Sequence, residues 1–329
     1  MATTDPKQNL EPIVWFALLV AFGSATQDIA LDAFRIESAK AQYQAALAAS
    51  YQTGYRLAMI WAGAGALWLA ARAETTTGVY LAEAWQFAYL CMALSIGVGV
   101  VTTLLSPEPQ SVLLPKARSA GQWLQQTLIQ PFADFIGRYR WQAFLILGLI
   151  AIYRISDVVM GIMANPFYVD MGYTKDEVAA ITKVFGVIMT LLGAFLGGLL
   201  TMRFGVMRVL FLGGVLSAAS NLLFAWLSTR GHDLNGLVWV ISADNLSSGI
   251  ASAAFIAYLS SLTNVQYSAT QYALFSSMML LLPKWFAGFS GVYVDTFGYE
   301  HFFIATSLIG IPVLILITLA IRFEKSNSP

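Results

Sequence analysis

The sequence predicts an all-α polytopic membrane protein, a bundle of about nine transmembrane helices, on three observations. Hydrophobic residues make up 58% of the 329 positions and charged residues only 11%, against about 25% charged in a soluble protein. That balance leaves too little polar side chain to cover a soluble surface. Apolar runs of about 20 residues, the length a bilayer requires, recur along the whole chain. None of them alternates polar with apolar residues over a strand's length, which argues against a β-barrel.

The first run, 12–34, opens at Pro12, and runs at 46–71 and 79–105 follow it. The prolines of Ser106-Pro-Glu-Pro109 stop the third run. A polar connection then leads to Arg140. Within it Trp123, Leu124, Leu128, Phe132, Phe135 and Ile136 share one helical face. This spacing predicts a helix lying in the cytoplasmic interface, with a break near Pro131. Further runs lie at 141–167, 178–200, 206–228, 236–262, 271–293 and 302–321. The expected division is a three-helix N-terminal block over 1–110, a cytoplasmic linker with an amphipathic helix over 111–139, and a six-helix block over 140–329.

Basic residues set the orientation. Lys40, Lys116, Arg118, Arg138, Arg140, Arg203, Arg208, Arg322 and Lys325 fall in loops on one side. The other side holds only Lys7, Arg72, Lys175 and Arg230. The richer side is expected to be cytoplasmic, which places the C-terminus inside and the N-terminus outside. Met1–Glu11 has no signal-peptide pattern. An odd number of spans that starts outside without one predicts that helices are missing ahead of the first run.

The single Cys91 lies in a span and allows neither an internal disulfide nor a cysteine-based metal site. His232 and His301 fall in short loops, and no cofactor is expected. The formal charge is zero, so nothing points to a nucleic-acid partner. The signatures H-E-x-x-H, G-x-S-x-G and the P-loop are all missing. Asp157 and Asp244 lack the Tyr-Asp and Gly-x-Gly-Asp contexts of intramembrane aspartyl hydrolases, so no catalytic residue is expected.

Charges inside the spans carry the functional signal. Asp28 and Asp32 lie one helical turn apart in the first run. A carboxylate at that depth costs about 2.5–3.5 kcal/mol on insertion scales, so two on one face need partners or a wet cavity. Arg56, Arg154, Asp157, Lys183, Asp244 and Lys284 lie in other spans, and positive and negative charges balance. Arg154 and Asp157, three apart, are spaced to pair within one helix. Any one of these residues alone reads as a structural ion pair. Spread over several spans, they read as the lining of a transport route. Gly193-Ala-Phe-Leu-Gly197 predicts a close helix crossing. Tyr51, Tyr55, Trp61 and Trp68 fit stacking on sugar rings, interfacial anchoring or core packing alike.

Gly198-Leu-Leu-Thr-Met-Arg203-Phe-Gly205-Val-Met-Arg208 resembles the cytoplasmic loop signature of major facilitator transporters, with Met202 in the usual acidic place. Ala287-Gly-Phe-Ser-Gly291-Val-Tyr-Val-Asp295-Thr-Phe-Gly298 resembles that family's passage out of its eleventh helix. The AmpG muropeptide permease family is a closer match. Ser24-Ala-Thr-Gln27-Asp28-Ile29-Ala-Leu-Asp32-Ala33 is similar to its fourth helix. Gly54-Tyr55-Arg56-Leu57 and Ala66-Leu-Trp68-Leu-Ala70 are similar to its fifth. Pro131-Phe-Ala-Asp134-Phe135-Ile-Gly-Arg138 resembles its linker. Tyr153-Arg154-Ile-Ser-Asp157, Asp244-Asn245-Leu-Ser-Ser-Gly249 and Ser268-Ala-Thr-Gln271-Tyr272-Ala273-Leu274 resemble helices seven, ten and eleven, in family order.

The resemblance starts at the fourth helix, which implies a major facilitator-type bundle whose first three helices are absent or supplied by another chain. It implies proton-coupled import of anhydromuropeptides (GlcNAc–anhydroMurNAc with a short peptide) across the bacterial inner membrane, from periplasm to cytoplasm, in peptidoglycan recycling. Expected proton-coupling residues are Asp28, Asp32, Asp157 and Asp244. Expected substrate contacts are Gln27, Tyr55, Arg56, Arg154, Lys183, Asn245 and Lys284. The alternatives are a carrier of another anionic solute, such as a CoA- or nucleotide-linked compound, or an inactive membrane remnant. The expected partners are the muropeptide, protons and the lipid bilayer.

Overall fold

Pro12 sets the first turn of α1 (Glu11–Glu37), where a missing N–H costs nothing. The computed structural model describes residues 3–5, 7, 9–40, 43–74, 81–109 and 118–326; the side chains of Lys175, Lys183, Val184 and 323–326 lie outside that description. All regular elements among the described residues are helical. After α1 come α2 (Gln44–Ile60), a π-turn at Trp61–Gly65, α3 (Ala66–Ala73) and α4 (Ala82–Leu105). The chain divides into two compact units, Met1–Ser38 with Gly54–Ser111 and Ala39–Thr53 with Val112–Pro329.

In the first unit, α3 lies along α4. Ala70, Ala84 and Ala88 are buried there, small side chains that allow close approach without a hydrophobic drive between helices. On α1 only Arg35 and Ile36 are buried.

The second unit begins with the first part of α2, where Ala45 and Ala48 are buried. The linker helix is α5 (Ala120–Leu124), a π-turn at Gln125–Ile129 and α6 (Gln130–Tyr139). The expected break near Pro131 is a widened turn just ahead of it. Proline has no N–H to close the preceding turn, and the helix absorbs the defect instead of stopping. The expected single apolar face is divided: Pro131 and Phe135 are buried, while Trp123, Leu124, Leu128, Phe132 and Ile136 are exposed.

Then follow α7 (Gln142–Ile152), α8 (Ile155–Ile162), α9 (Ala164–Asp170), α10 (Lys175–Ile181), a π-turn at Thr182–Gly186, α11 (Val187–Phe204) and α12 (Val206–Ser228). The last three are α13 (Leu234–Leu262), α14 (Ser268–Ala287) and α15 (Ser290–Ser326). Gly298, at φ 79°, kinks α15 near its start. Gly298 falls in the expected connection between the last spans, 271–293 and 302–321, and the chain also leaves helix at 288–289. By length and composition seven helices among the described residues can cross a membrane. The expected spans at 46–71 and 271–293 are also helical but fall outside that set: a π-turn divides the first, and Gln271 and Lys284 dilute the second.

Packing in this unit has an exchange symmetry. α11 packs on α13 as α14 packs on α7 and α8; α12 packs on α13 as α15 packs on α8; α12 and α15 pack on each other. Swapping 142–228 with 234–326 maps this set of partners onto itself, the relation that two inverted three-helix repeats produce. The α11–α13 crossing is backbone against backbone. A Cβ on Gly193 would meet the Leu246 carbonyl oxygen at 2.3 Å, and one on Gly249 the Thr190 carbonyl oxygen at 2.5 Å.

Candidate functional site: a polar cluster at a helix break

The segment Gln142–Asp170 is long and apolar enough to span as one helix, yet its backbone turns out of helix at Tyr153–Arg154. Arg154 takes φ −92° and ψ 5° and caps α8. The sequence has no glycine or proline here to announce the break. Tyr153 pins it from behind: its hydroxyl donates to the Leu210 carbonyl at 3.2 Å, and its ring stacks on Phe255 at 4.4 Å.

The break aims one guanidinium and one carboxylate into the bundle. Arg154 and Asp157 form the expected ion pair, each about a fifth exposed. Asp157 lies in the first turn of α8, where the helix dipole favours an anion. Arg154 Nη1 also donates to Ser252 Oγ of α13 at 2.8 Å. Also on α13, Asp244 accepts from Ser220 Oγ of α12 at 3.0 Å. Asp157 and Arg154 both lie near enough for their charges to act on Asp244, as its own charge acts on Tyr168 of α9. Among the described side chains no cation comes within ion-pair distance of Asp244. When all three are ionised, Asp157, Asp244 and Arg154 carry one net negative charge, which a single proton neutralises.

The neighbouring Asn245 is committed to packing. Its Oδ1 accepts from Thr190 Oγ1 at 2.9 Å, and its Nδ2 donates to the Ile241 carbonyl at 2.8 Å. It thereby ties α11 to α13 beside the glycine crossing. Lys284 stands exposed on α14 and pairs with none of the cluster's carboxylates. The Lys183 side chain lies outside the described residues. Gln27, Asp28, Asp32, Tyr55 and Arg56 belong to the first unit. There Asp32 pairs with Arg35 at 3.4 Å, three residues along α1. Asp28, Gln27 and Tyr55 are exposed.

Sequence reasoning passed over the hydroxyl and amide residues of this cluster. Ser156 Oγ donates to the Thr306 carbonyl at 2.7 Å, and Asn221 Nδ2 donates to Ser156 Oγ at 2.9 Å. The available signal was Ser220-Asn221, adjacent polar residues within the apolar run 206–228.

A second polar knot fixes the linker helix. Buried Gln271 donates to the Pro131 carbonyl at 2.8 Å and to Asp134 Oδ2 at 2.9 Å. It accepts from Arg138 at 3.1 Å and from the Asn264 backbone at 2.8 Å. Arg138 also reaches Asp134 at 3.0 Å and the Leu262 carbonyl at 3.0 Å.

No family model matches the chain. A Rickettsia conorii (strain ATCC VR-613 / Malish 7) protein named AmpG 4 is 32% identical over 318 residues, covering 96% of this chain and 74% of its own length. The anhydromuropeptide permease of Escherichia coli (strain K12) is 33% identical over 319 residues, covering 96% of this chain and 62% of its own length. AmpG 1 of Rickettsia felis (strain ATCC VR-1525 / URRWXCal2) is 28% identical over 337 residues, covering 95% and 76%. Likeness at this level over nearly the whole sequence, on an all-helical membrane fold, means that the chain belongs to the AmpG family of transporters.

Proposed function

We propose that this chain carries anhydromuropeptides from periplasm to cytoplasm across the bacterial inner membrane, coupled to proton entry. The observation that most supports this is the Arg154–Asp157 pair at the helix break, with Asp244 beside it. A carboxylate of the incoming muropeptide competes with Asp157 for the Arg154 guanidinium. Once released, Asp157 leaves two carboxylates close together with no cation paired to either, and a proton taken up there removes one of the two negative charges. Substrate and proton thus enter together, the proton offsetting the charge that the substrate exposes in a low-dielectric interior. Asp244, held by a hydroxyl and not by a cation, is the first choice for proton carrier. Lys183 and Lys284 are proposed as further contacts for substrate carboxylates, with Gln27, Tyr55 and Arg56 contributing from the N-terminal block and Asp28 or Asp32 as alternative proton sites.

The proposed topology has the N-terminus in the periplasm and the C-terminus in the cytoplasm. It keeps 1–110 as a three-helix block, 111–139 as a cytoplasmic linker and 140–329 as the six-helix half. The exposed face of α1 that bears Gln27 and Asp28 is proposed to be covered by helices supplied from outside residues 1–329, because a bare carboxylate facing lipid is costly. The test is uptake of labelled anhydromuropeptide in cells lacking their own permease. Residues 1–329 are compared alone and fused behind the first three helices of the E. coli permease. Uptake by the fusion only, abolished by a protonophore and by Arg154→Ala, is expected. Uptake indifferent to the protonophore would sink proton coupling. Absence of uptake from a correctly inserted fusion would sink the substrate.

A further inference from the structure

Charged residues of the cluster sit on α8 and α13, yet what sets their spacing is a third helix that contributes no charge. On α12, Ser220 and Asn221 are 2% and 0% exposed, so neither reaches a cavity or a substrate. Ser220 Oγ shares its proton between Asp244 Oδ1 at 3.0 Å and the Ser217 carbonyl at 2.9 Å. The next residue, Asn221, donates through Nδ2 to Ser156 Oγ at 2.9 Å, and Ser156 directly precedes Asp157. Ser156 in turn donates to the Thr306 carbonyl of α15 at 2.7 Å, and Ser307 Oγ donates to the Ala218 carbonyl of α12 at 2.8 Å. One turn of α12 therefore grips the carboxylate segment of α13 with one residue and that of α8 with the next, and is itself anchored to α15.

Stability alone does not explain the asparagine. Asn221 Oδ1 is buried and meets no donor, and an unsatisfied buried acceptor costs roughly 1–3 kcal/mol. Leucine has the same branched shape, carries no acceptor to leave unsatisfied, and is common elsewhere in α12. We infer that Ser220 and Asn221 are positioning residues that hold Asp244 and Asp157 at the separation at which they exchange a proton, through direct hydrogen bonds to Asp244 and to Ser156. Among the described side chains the titratable groups whose charges act with that of Asp244 are Asp157 and Arg154 from α8 and Tyr168 from α9, and none is on α12. α12 thus alters the geometry of the charged set without changing its charge.

The inference rests on proton coupling through this cluster, and two separate readouts test it. In purified residues 1–329, infrared spectroscopy reads the carboxyl band that Asp244→Asn removes. Ser220→Ala is expected to displace that band, and Ser220→Thr to return it. In the uptake-competent fusion, Ser220→Ala is expected to move the pH midpoint of uptake upward by about one unit. That is the worth of one hydroxyl donor to an ionised carboxylate. Asn221→Leu, which keeps the branched shape and removes the donor to Ser156, is expected to displace the pH midpoint. A displaced infrared band with no muropeptide uptake by any form would overturn the transport reading and leave the positioning role standing. Uptake reduced equally at every pH, with the band in place and melting lowered in step, would show that the two residues merely pack α12.

Discussion

α1 and α13 are of similar length, 27 and 29 residues, and both are apolar enough to cross a membrane. Yet 72% of the most apolar stretch of α13 is buried and none of that of α1. Over those stretches the buried one is the less apolar: α13 carries Asp244, Asn245 and a run of serines and alanines. Lipid tails are as apolar as leucine, so apolarity does not draw one membrane helix to another; small side chains and hydrogen-bonding groups do. On α13 Asp244, Asn245 and Ser252 each have a named partner on a neighbouring helix or at its cap. On α1 the exposed leucines, valines and phenylalanines have no such grip, and among its charges Asp32 pairs within α1 itself.

Glycine makes the difference between the units measurable. A Cβ at Gly249 would lie 2.5 Å from the Thr190 carbonyl oxygen and 2.8 Å from the Ala194 nitrogen, backbone atoms that cannot turn aside. Gly249→Leu is expected to cost more than about 3 kcal/mol, the upper end for overpacking, and to abolish a monodisperse peak in detergent. Gly97 of α4 has no atom within 4 Å of such a Cβ. Gly97→Leu is expected to leave yield and melting temperature unchanged. Equal tolerance at the two sites would mean that the close crossing of α11 and α13 is not what holds the second unit together.

Charge sharpens the contrast at a lower energy. Asp157→Asn leaves Arg154 with Ser252 alone. Breaking a buried pair costs about 3–5 kcal/mol, and partial exposure of this one reduces the expected loss to about 2 kcal/mol. Asp28→Asn on the exposed face of α1 is expected to change melting by less than about 0.5 kcal/mol. In the uptake-competent fusion it is expected to lower uptake by more than it lowers insertion. Differential scanning fluorimetry of both variants checks the first pair of values, and a pH series of uptake checks the last. Uptake by Asp28→Asn that matches wild type across the series would remove Asp28 from the proton route.

The membrane class, the helical content and the crossing at Gly193 were legible because each depends on composition or on spacing within one helix. So was the Arg154–Asp157 pair, an i,i+3 spacing whose partners need no other part of the chain. The break that displays this pair was not legible. Neither Tyr153 nor Arg154 disfavours helix, and the turn is held open by Leu210 and Phe255, more than fifty residues away in sequence. Ser220 and Asn221 were hidden for a related reason. A serine or an asparagine in an apolar run looks like tolerated noise until the helix it faces is known.

Gln271 joins the linker helix to α14 and to the turn before it within the second unit. At 1% exposure it makes bonds to Pro131, Asp134, Arg138 and Asn264. Gln271→Ala is expected to cost about 1–3 kcal/mol through the groups it leaves unsatisfied. It is also expected to speed tryptic cleavage at Arg138 and Arg140 before the bundle itself melts. Unchanged cleavage would mean that Phe135 against Phe275, with ring centres 5.1 Å apart, suffices to dock α6.

The smallest expected effect lies outside the spans, at the end where α10 begins. Glu177 closes a capping box with Thr174 and reaches His232 Nε2 at 3.1 Å, joining the turn before α10 to the turn before α13. The Thr174 backbone N–H, then His232, then the Thr174 hydroxyl hold the Glu177 carboxyl below its ordinary 4.5. A carboxyl whose pKa is lowered by folding adds stability at pH above its unfolded value and loses it as pH falls through the folded one. Glu177→Gln is therefore expected to lower the melting temperature slightly at pH 7, with the difference closing below pH 4.5. Because Glu177 is at the surface, raised salt is expected to reduce the part of the difference owed to His232 and to spare the part owed to the Thr174 backbone. His232→Ala separates the two: it should remove the salt-sensitive part alone. A Glu177→Gln difference that persists unchanged at pH 3 would show that the glutamate acts by packing and not by its charge.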